Sequence, residues 1–235
     1  MAHREIADVQ ARLPRPGWGG QAVAVTHQPD AAEFATAAEY WDHRYADRIW
    51  GGRVNAVLAQ EAPSLTPGRV LDLGAGEGGD AIWLAQQGWQ VTAADVSAVA
   101  LGRARADAEQ AGLAGQISFV TIDFTQDFPT GQYDLVSAHF LQSLFEFPRA
   151  AVLRQAAAAV APGGRLLIVD HGAAPPWSNH QNNYFPTVTE VYDSLELDPA
   201  GWEAPLLEAR TRTGTGPNGQ TAELVDNVIA VRRRS

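Results

Sequence analysis

From residue 69 onward, short apolar runs alternate with longer stretches in which apolar positions recur at helical spacing. Arg69–Leu73 reads as a buried strand, and the stretch from about Gly79 to Gln87 reads as its helix. Gln90–Ala94 is the next strand. A helix from about Ala98 to Ala111 follows, with Ser97 as its cap and Gly112 as its stop. Ile117–Thr121 and Tyr133–Ala138 are further strands. An alanine-rich helix, Arg149–Ala161, ends at Pro162–Gly163–Gly164, and Arg165–Asp170 makes a fifth strand. A short helix is expected around Thr187–Leu195, then two long β segments at about Trp202–Thr213 and Thr221–Arg232. Gly214–Thr215–Gly216–Pro217–Asn218–Gly219 between them has the composition of a hairpin turn. Strand and helix in alternation imply a parallel sheet with right-handed crossovers, here closed by an antiparallel hairpin.

The start of the chain breaks this rhythm. Residues 1–30 carry Pro14, Pro16, Gly17, Gly19, Gly20 and Pro29 with weak periodicity, and are expected to form an extension or lid that is partly disordered. Residues 31–235 are expected to be one domain, opening with a helical cap over 31–62. The cap pattern is aromatic from Ala31 to Asp47, with a second short helix from about Arg53 to Glu61.

Composition narrows the chemistry. All 17 basic residues of the 235 are arginine, so a lysine Schiff base and a phosphate-loop lysine are both excluded. Cysteine is absent, which removes disulfides, thiolate nucleophiles and zinc–thiolate sites. A formal charge of −10 argues against a nucleic-acid partner, which wants a basic face. The opening residues lack the apolar core of a signal peptide and no run is long enough to span a membrane, so a cytoplasmic location is expected.

The stretch Arg69–Val70–Leu71–Asp72–Leu73–Gly74–Ala75–Gly76–Glu77–Gly78–Gly79–Asp80 is the strongest chemical signal. A strand that turns through glycines into a helix brings backbone close to a nucleotide-like cofactor, with no side chain in the way. Gly74, Gly76 and Gly79 also satisfy the dinucleotide spacing, which is weak in isolation. Asp72 sits inside the strand, where a dinucleotide fold places an apolar residue. Asp95 ends the second strand, beside Val96, where a carboxylate can accept ribose hydroxyls; nicotinamide enzymes share that feature. Asp123 after the third strand is placed to meet an adenine amino group, with Phe124 flanking the ring. Each acid also has a plainer reading, as a strand-end or solvated loop carboxylate.

This ordered set, with Leu135–Val136–Ser137–Ala138–His139 and Ala161–Pro162–Gly163–Gly164–Arg165–Leu166–Leu167, resembles the class I S-adenosylmethionine (SAM)-dependent methyltransferases over roughly Tyr40 to Arg232. The resemblance implies an α/β, Rossmann-like seven-stranded sheet in the order 3-2-1-4-5-7-6, strand seven antiparallel, with helices on both faces. It assigns the Gly74–Gly78 loop, including Ala75 and Gly76, to the methionine part of SAM, Asp95 to the ribose and Asp123 to the adenine, with Ala138 at the end of the fourth strand. Tyr40–Trp41–Asp42–His43–Arg44–Tyr45 and Trp50–Gly51–Gly52–Arg53–Val54–Asn55 are similar to the amino-terminal cap of bacterial small-molecule methyltransferases, comparable in layout to tellurite-resistance and thiol methyltransferases. On that layout Tyr45 or Trp50 faces the sulfonium and Arg53 pairs with the cofactor carboxylate, or the same aromatics pack on the sheet edge.

Ligands gather at the carboxyl ends of strands in open α/β sheets, where His139 and His171 fall; these are the candidate bases. A pocket wall without proton transfer is the alternative for each. Asp170, His171, His180 and His139 could in principle converge on a metal, but the carboxylate-rich magnesium site of catechol-type enzymes has no counterpart, and no metal is expected. The long segment His171–Phe185, with Trp177, Tyr184 and Phe185, and Phe140, Leu141 and Phe145 after the fourth strand, predicts an apolar acceptor pocket. The expected activity is SAM-dependent methyl transfer to a heteroatom of a small molecule, with no nucleic-acid or membrane partner. A nicotinamide-dependent oxidoreductase and a SAM-binding protein without turnover are the rivals; the first needs a Tyr-x-x-x-Lys-type pair that a lysine-free chain cannot supply.

Overall fold

The computed structural model describes residues 30–49, 52–178, 183–203, 205–216 and 218–235. Seven strands form one sheet in the order β3-β2-β1-β4-β5-β7-β6, as the resemblance implied. They are β1 Arg69–Leu73, β2 Gln90–Asp95, β3 Ile117–Thr121, β4 Tyr133–His139, β5 Val160–His171, β6 Leu206–Thr215 and β7 Thr221–Arg232. The pairs β1–β2, β1–β4, β2–β3 and β4–β5 are parallel, while β7 runs antiparallel to both β5 and β6.

The helices are α1 Ala37–Arg44, α2 Ala56–Glu61, α3 Gly79–Gln86, α4 Ala98–Gln110, α5 Arg149–Ala158 and α6 Val188–Asp193. Alternate residues of each central strand face opposite sides, so the core divides in two. On one face Val70, Leu135 and Leu167 pack with Leu58 of α2 and Leu84 of α3. On the other, Leu71, Val136 and Ile168 pack with Val152 and Leu153 of α5 and Val191 of α6.

Several boundaries move, each for a local reason. The expected continuous cap helix breaks into a 3₁₀ turn at Ala31–Glu33 and α1, because Thr36 caps α1 by accepting from the Glu39 N–H, while Glu39 accepts from the Ala35 N–H. The second cap helix starts at Ala56 rather than Arg53, since the Asn55 side chain takes the Val57 and Leu58 N–H groups. The alanine-rich helix stops at Ala158, because Val160 already pairs with Tyr133 in the sheet. Strand β6 begins at Leu206: Pro205 has no N–H for the ladder, and Trp202 makes only an isolated bridge to Arg233. Residues 1–29 of the expected extension over 1–30 lie outside the described residues, as does Trp50.

Candidate functional site

Strand β1 delivers Asp72 to the mouth of the sheet, and the chain then turns through Gly74, Gly76 and Gly78, all at positive φ (73°, 51° and 77°). Only glycine takes such angles without strain. The space is also closed to side chains. A Cβ on Gly76 would stand 2.8 Å from the Tyr45 hydroxyl oxygen, and one on Gly74 would stand 2.9 Å from Leu141 Cδ1. Tyr45 of the cap therefore lies over the loop. Gly78 serves a different purpose. A Cβ there would meet Ala104 Cβ at 2.6 Å, so this glycine sets the packing of α3 on α4.

Several of the loop's N–H donors are engaged within the protein. Gly74 and Ala75 both donate to the Ala94 carbonyl, and Gly76 donates to Asp95 Oδ2. These three N–H groups are therefore not free for a ligand phosphate. Asp95 is held from two sides, because the Ser97 N–H donates to its Oδ1; burial lifts its pKa despite these bonds. Each oxygen keeps a further lone pair for a hydroxyl donor. Val96, half-buried, sits between these two anchors.

Beside the loop lies a buried group that no sequence spacing assembles. Asp72 Oδ1 accepts from the Ser137 hydroxyl at 3.0 Å, while Asp72 Oδ2 is buried without a hydrogen-bond partner. His139 Nδ1 lies 2.7 Å from Asp80 Oδ2, and the other Asp80 oxygen accepts from the Asn55 N–H at 2.6 Å. His139 Nε2 is also buried and without a partner. Burial, with the Asp80 charge behind it, pushes the Asp72 carboxyl up to about 7. For His139 burial opposes the charged form, but the hydrogen bond and charge of Asp80, with Asp72 and Asp170 nearby, outweigh it and raise the pKa. Asp72, Asp80 and His139 each place a ligand atom within 4.8 Å of the others, close enough to share a cation. Asp80 had a legible signal, an acid in the first turn of α3; its pairing with His139 did not.

SAM carries an ammonium and a sulfonium, and beside this loop Asp72 Oδ2 offers such cations a buried acceptor without a partner. Asp72, Tyr45 and the loop carbonyls could hold its amino-acid end, and Asp95 its ribose. The remaining expected residues divide. Asp123 is exposed, its Oδ1 accepting from the Thr125 N–H, and is available at the edge of the groove. Phe124 is buried, its ring 6.0 Å from that of Phe128. Ala138 is fully buried and can contribute only backbone. Arg53 is exposed, and its carbonyl oxygen lies where a Cβ on Gly79 would be 2.9 Å away.

A cavity of about 260 Å³ opens beyond the ends of β4 and β5, bordered by Phe145, Phe147, Arg149, Asp170, Tyr184 and Phe185 among others. Of the residues expected to wall an acceptor pocket, Phe145, Tyr184 and Phe185 border it, whereas Trp177, Phe140, Leu141 and both candidate histidines do not. His139 is turned to Asp80. His171 stacks on Phe140 at 4.2 Å, with burial lowering its pKa.

Comparison with known proteins agrees with this geometry. A family described as a methyltransferase domain matches residues 38–205. Demethylmenaquinone methyltransferase of Beutenbergia cavernae is 34% identical over 203 residues, covering 76% of this chain and 78% of the relative. Ribosomal RNA small subunit methyltransferase C of Chromohalobacter salexigens is 34% identical over 113 residues, 46% of this chain and 32% of that protein. The chain spans between a fifth and a half of the length of this and the next curated relatives. Among solved structures, one described as "Conversion of a Disulfide Bond into a Thioacetal Group during Echinomycin Biosynthesis" has a TM-score of 0.65 at 25% identity, covering 84% of this chain and 93% of that one. TehB from Haemophilus influenzae shares the fold, with a TM-score of 0.60 at 19% identity, over 85% of this chain and 67% of that one. The chain thus belongs to the methyltransferase-domain family of class I SAM-dependent methyltransferases, whose cofactor is S-adenosylmethionine.

Proposed function

We propose that the protein transfers the sulfonium methyl group of SAM to a heteroatom of a small molecule held in the cavity beyond β4 and β5. The observation that carries this reading is the buried, partnerless Asp72 Oδ2 beside the glycine turn, with a cavity bordered by aromatic residues beyond β4 and β5. When bound, SAM supplies an activated methyl group on a cationic sulfur. The chain's own part is positioning. Asp72 and the loop carbonyls orient the amino-acid end, Asp95 accepts from the ribose, and Tyr45 closes the cap side. In-line displacement between aligned partners draws most of its acceleration from such placement.

His139 is better suited to positioning than to proton removal. Its Nδ1 is held by Asp80 at 2.7 Å, and the residue does not border the cavity assigned to the acceptor. An acceptor that arrives as an anion needs no base.

The test is incubation with methyl-labelled SAM and a panel of phenols, thiols, amines and aromatic acids, with total RNA as a parallel arm. Label in a small acceptor supports the proposal. Label in RNA alone would place the chain with its ribosomal RNA relatives instead. SAM affinity with no label anywhere would favour a binding protein without turnover.

A further inference from the structure

Among the described residues the cavity wall holds one cation, and it is braced. Arg149, at the start of α5, donates its Nε–H to the Leu141 carbonyl at 2.9 Å and reaches both Asp170 oxygens through Nη2, at 2.6 Å each. The two partners are unequally covered: the Arg149 side chain is 22% exposed and that of Asp170 only 5%. Both residues border the cavity, and the guanidinium is the more exposed of the pair. Asp170 would be costly to bury alone; burial raises its pKa even against Arg149. A structural ion pair has no need to turn its donors toward a cavity, yet this one borders it between Phe145, Phe147 and Phe185.

The rest of the wall is held in place as well. Phe145 packs edge-on to Tyr40 of the cap at 5.9 Å. Tyr184 at the rim bonds to Glu190, which is itself fixed in the capping box of α6 with Thr187. Leu141, whose carbonyl steadies Arg149, has its Cδ1 2.9 Å from where a Cβ on Gly74 would stand, so one residue braces Arg149 and packs on the glycine loop.

Resting on the methyltransferase reading above, we infer that Arg149 is the acceptor-recognition residue and that the cavity takes a flat aromatic molecule bearing a carboxylate. A planar guanidinium held by two fixed partners presents its free edge to a planar anion at little entropic cost, and the aromatic walls sandwich the ring.

The experiment measures binding of benzoate and 4-hydroxybenzoate, with benzamide and phenol as neutral matches, to the full chain saturated with S-adenosylhomocysteine. The carboxylates should bind about tenfold or more tightly than the neutral compounds. In the paired variant Arg149→Gln with Asp170→Asn, which leaves no buried charge unpaired, carboxylate affinity should fall about ten- to hundredfold. Affinity for S-adenosylhomocysteine and the melting temperature should stay close to the parent's. Equal binding of benzoate and benzamide, or no binding of any probe while S-adenosylhomocysteine still binds, would overturn the assignment of Arg149. Failure to bind S-adenosylhomocysteine would instead overturn the methyltransferase reading itself.

Discussion

Asp72 holds an unfavourable position in the folded chain. Its carboxyl is buried with one oxygen unpartnered, and its pKa is pushed up to about 7 from an ordinary 3.8. A group whose pKa rises on folding adds stability below its unfolded value and loses it as pH climbs through the folded value. His139, also raised, acts in the same direction. Ligand-free protein should therefore lose on the order of 2–4 kcal/mol between about pH 4 and pH 8, read as a falling melting temperature. SAM supplies positive charge and should bind more tightly over that same rise. Asp72→Asn separates the two effects: at pH 8 the ligand-free variant should melt higher than the parent while its SAM affinity drops, and at pH 5 the melting points should converge. A variant that melts lower at pH 8 would show that Asp72 is stabilising. For His139, the substitution His139→Gln should cost less than about tenfold in turnover, with the rate–pH profile keeping its shape. Removing a general base costs about 10²–10⁴-fold, so a loss of that size with a new slope would restore His139 as base. Asp72, Asp95 and the glycines are legible at this scale, because each sits at a fixed step from a strand end. The pairing of Asp80 with His139 is not, because 59 positions separate the two residues.

Among the elements, the glycine turn does two jobs that a spacing motif merges. Gly74 and Gly76 leave room for Leu141 and Tyr45, whereas Gly78 lets α3 approach α4. Gly78→Ala should destabilise the fold by about 2 kcal/mol or more, through its φ of 77° and its contact with Ala104. For a chain of this size that lowers the melting temperature by roughly 4–8 °C. Adding Ala104→Gly should recover only part of the loss, since it relieves the contact and not the dihedral; full recovery would mean that strain at Gly78 is negligible. The cap is docked by similar means. Asp42 of α1 accepts from the Ser97 hydroxyl and the Val99 N–H, and Arg48 pairs with Asp107 of α4. Glu77 in the loop takes the Ile49 N–H and faces Arg103. These links join residues 26 to 59 positions apart, and no periodicity announces them.

For the whole molecule, a ligand that binds only the folded state raises its stability in proportion to the logarithm of its excess. S-adenosylhomocysteine at a hundred times its dissociation constant should add about 2.7 kcal/mol, raising the melting temperature by roughly 5–10 °C. A nicotinamide dinucleotide should add less, because the Gly74, Ala75 and Gly76 N–H groups are already bonded; an equal shift with the dinucleotide would refute that account. The alternation of strand and helix, the glycine turn, the strand-end acids and the closing hairpin were all determined by the sequence alone, since each depends on residues within a few positions of one another. Tertiary structure alone decided the Asp72–Asp80–His139 group, the consumption of the loop's donors by Ala94 and Asp95, and the Arg149–Asp170 pair at the cavity. Those arise where β1, β2, β4, β5 and the first turns of α3 and α5 converge at one end of the sheet. Contacts of that kind are set by strand order and register, which place distant residues side by side without leaving a trace in local spacing.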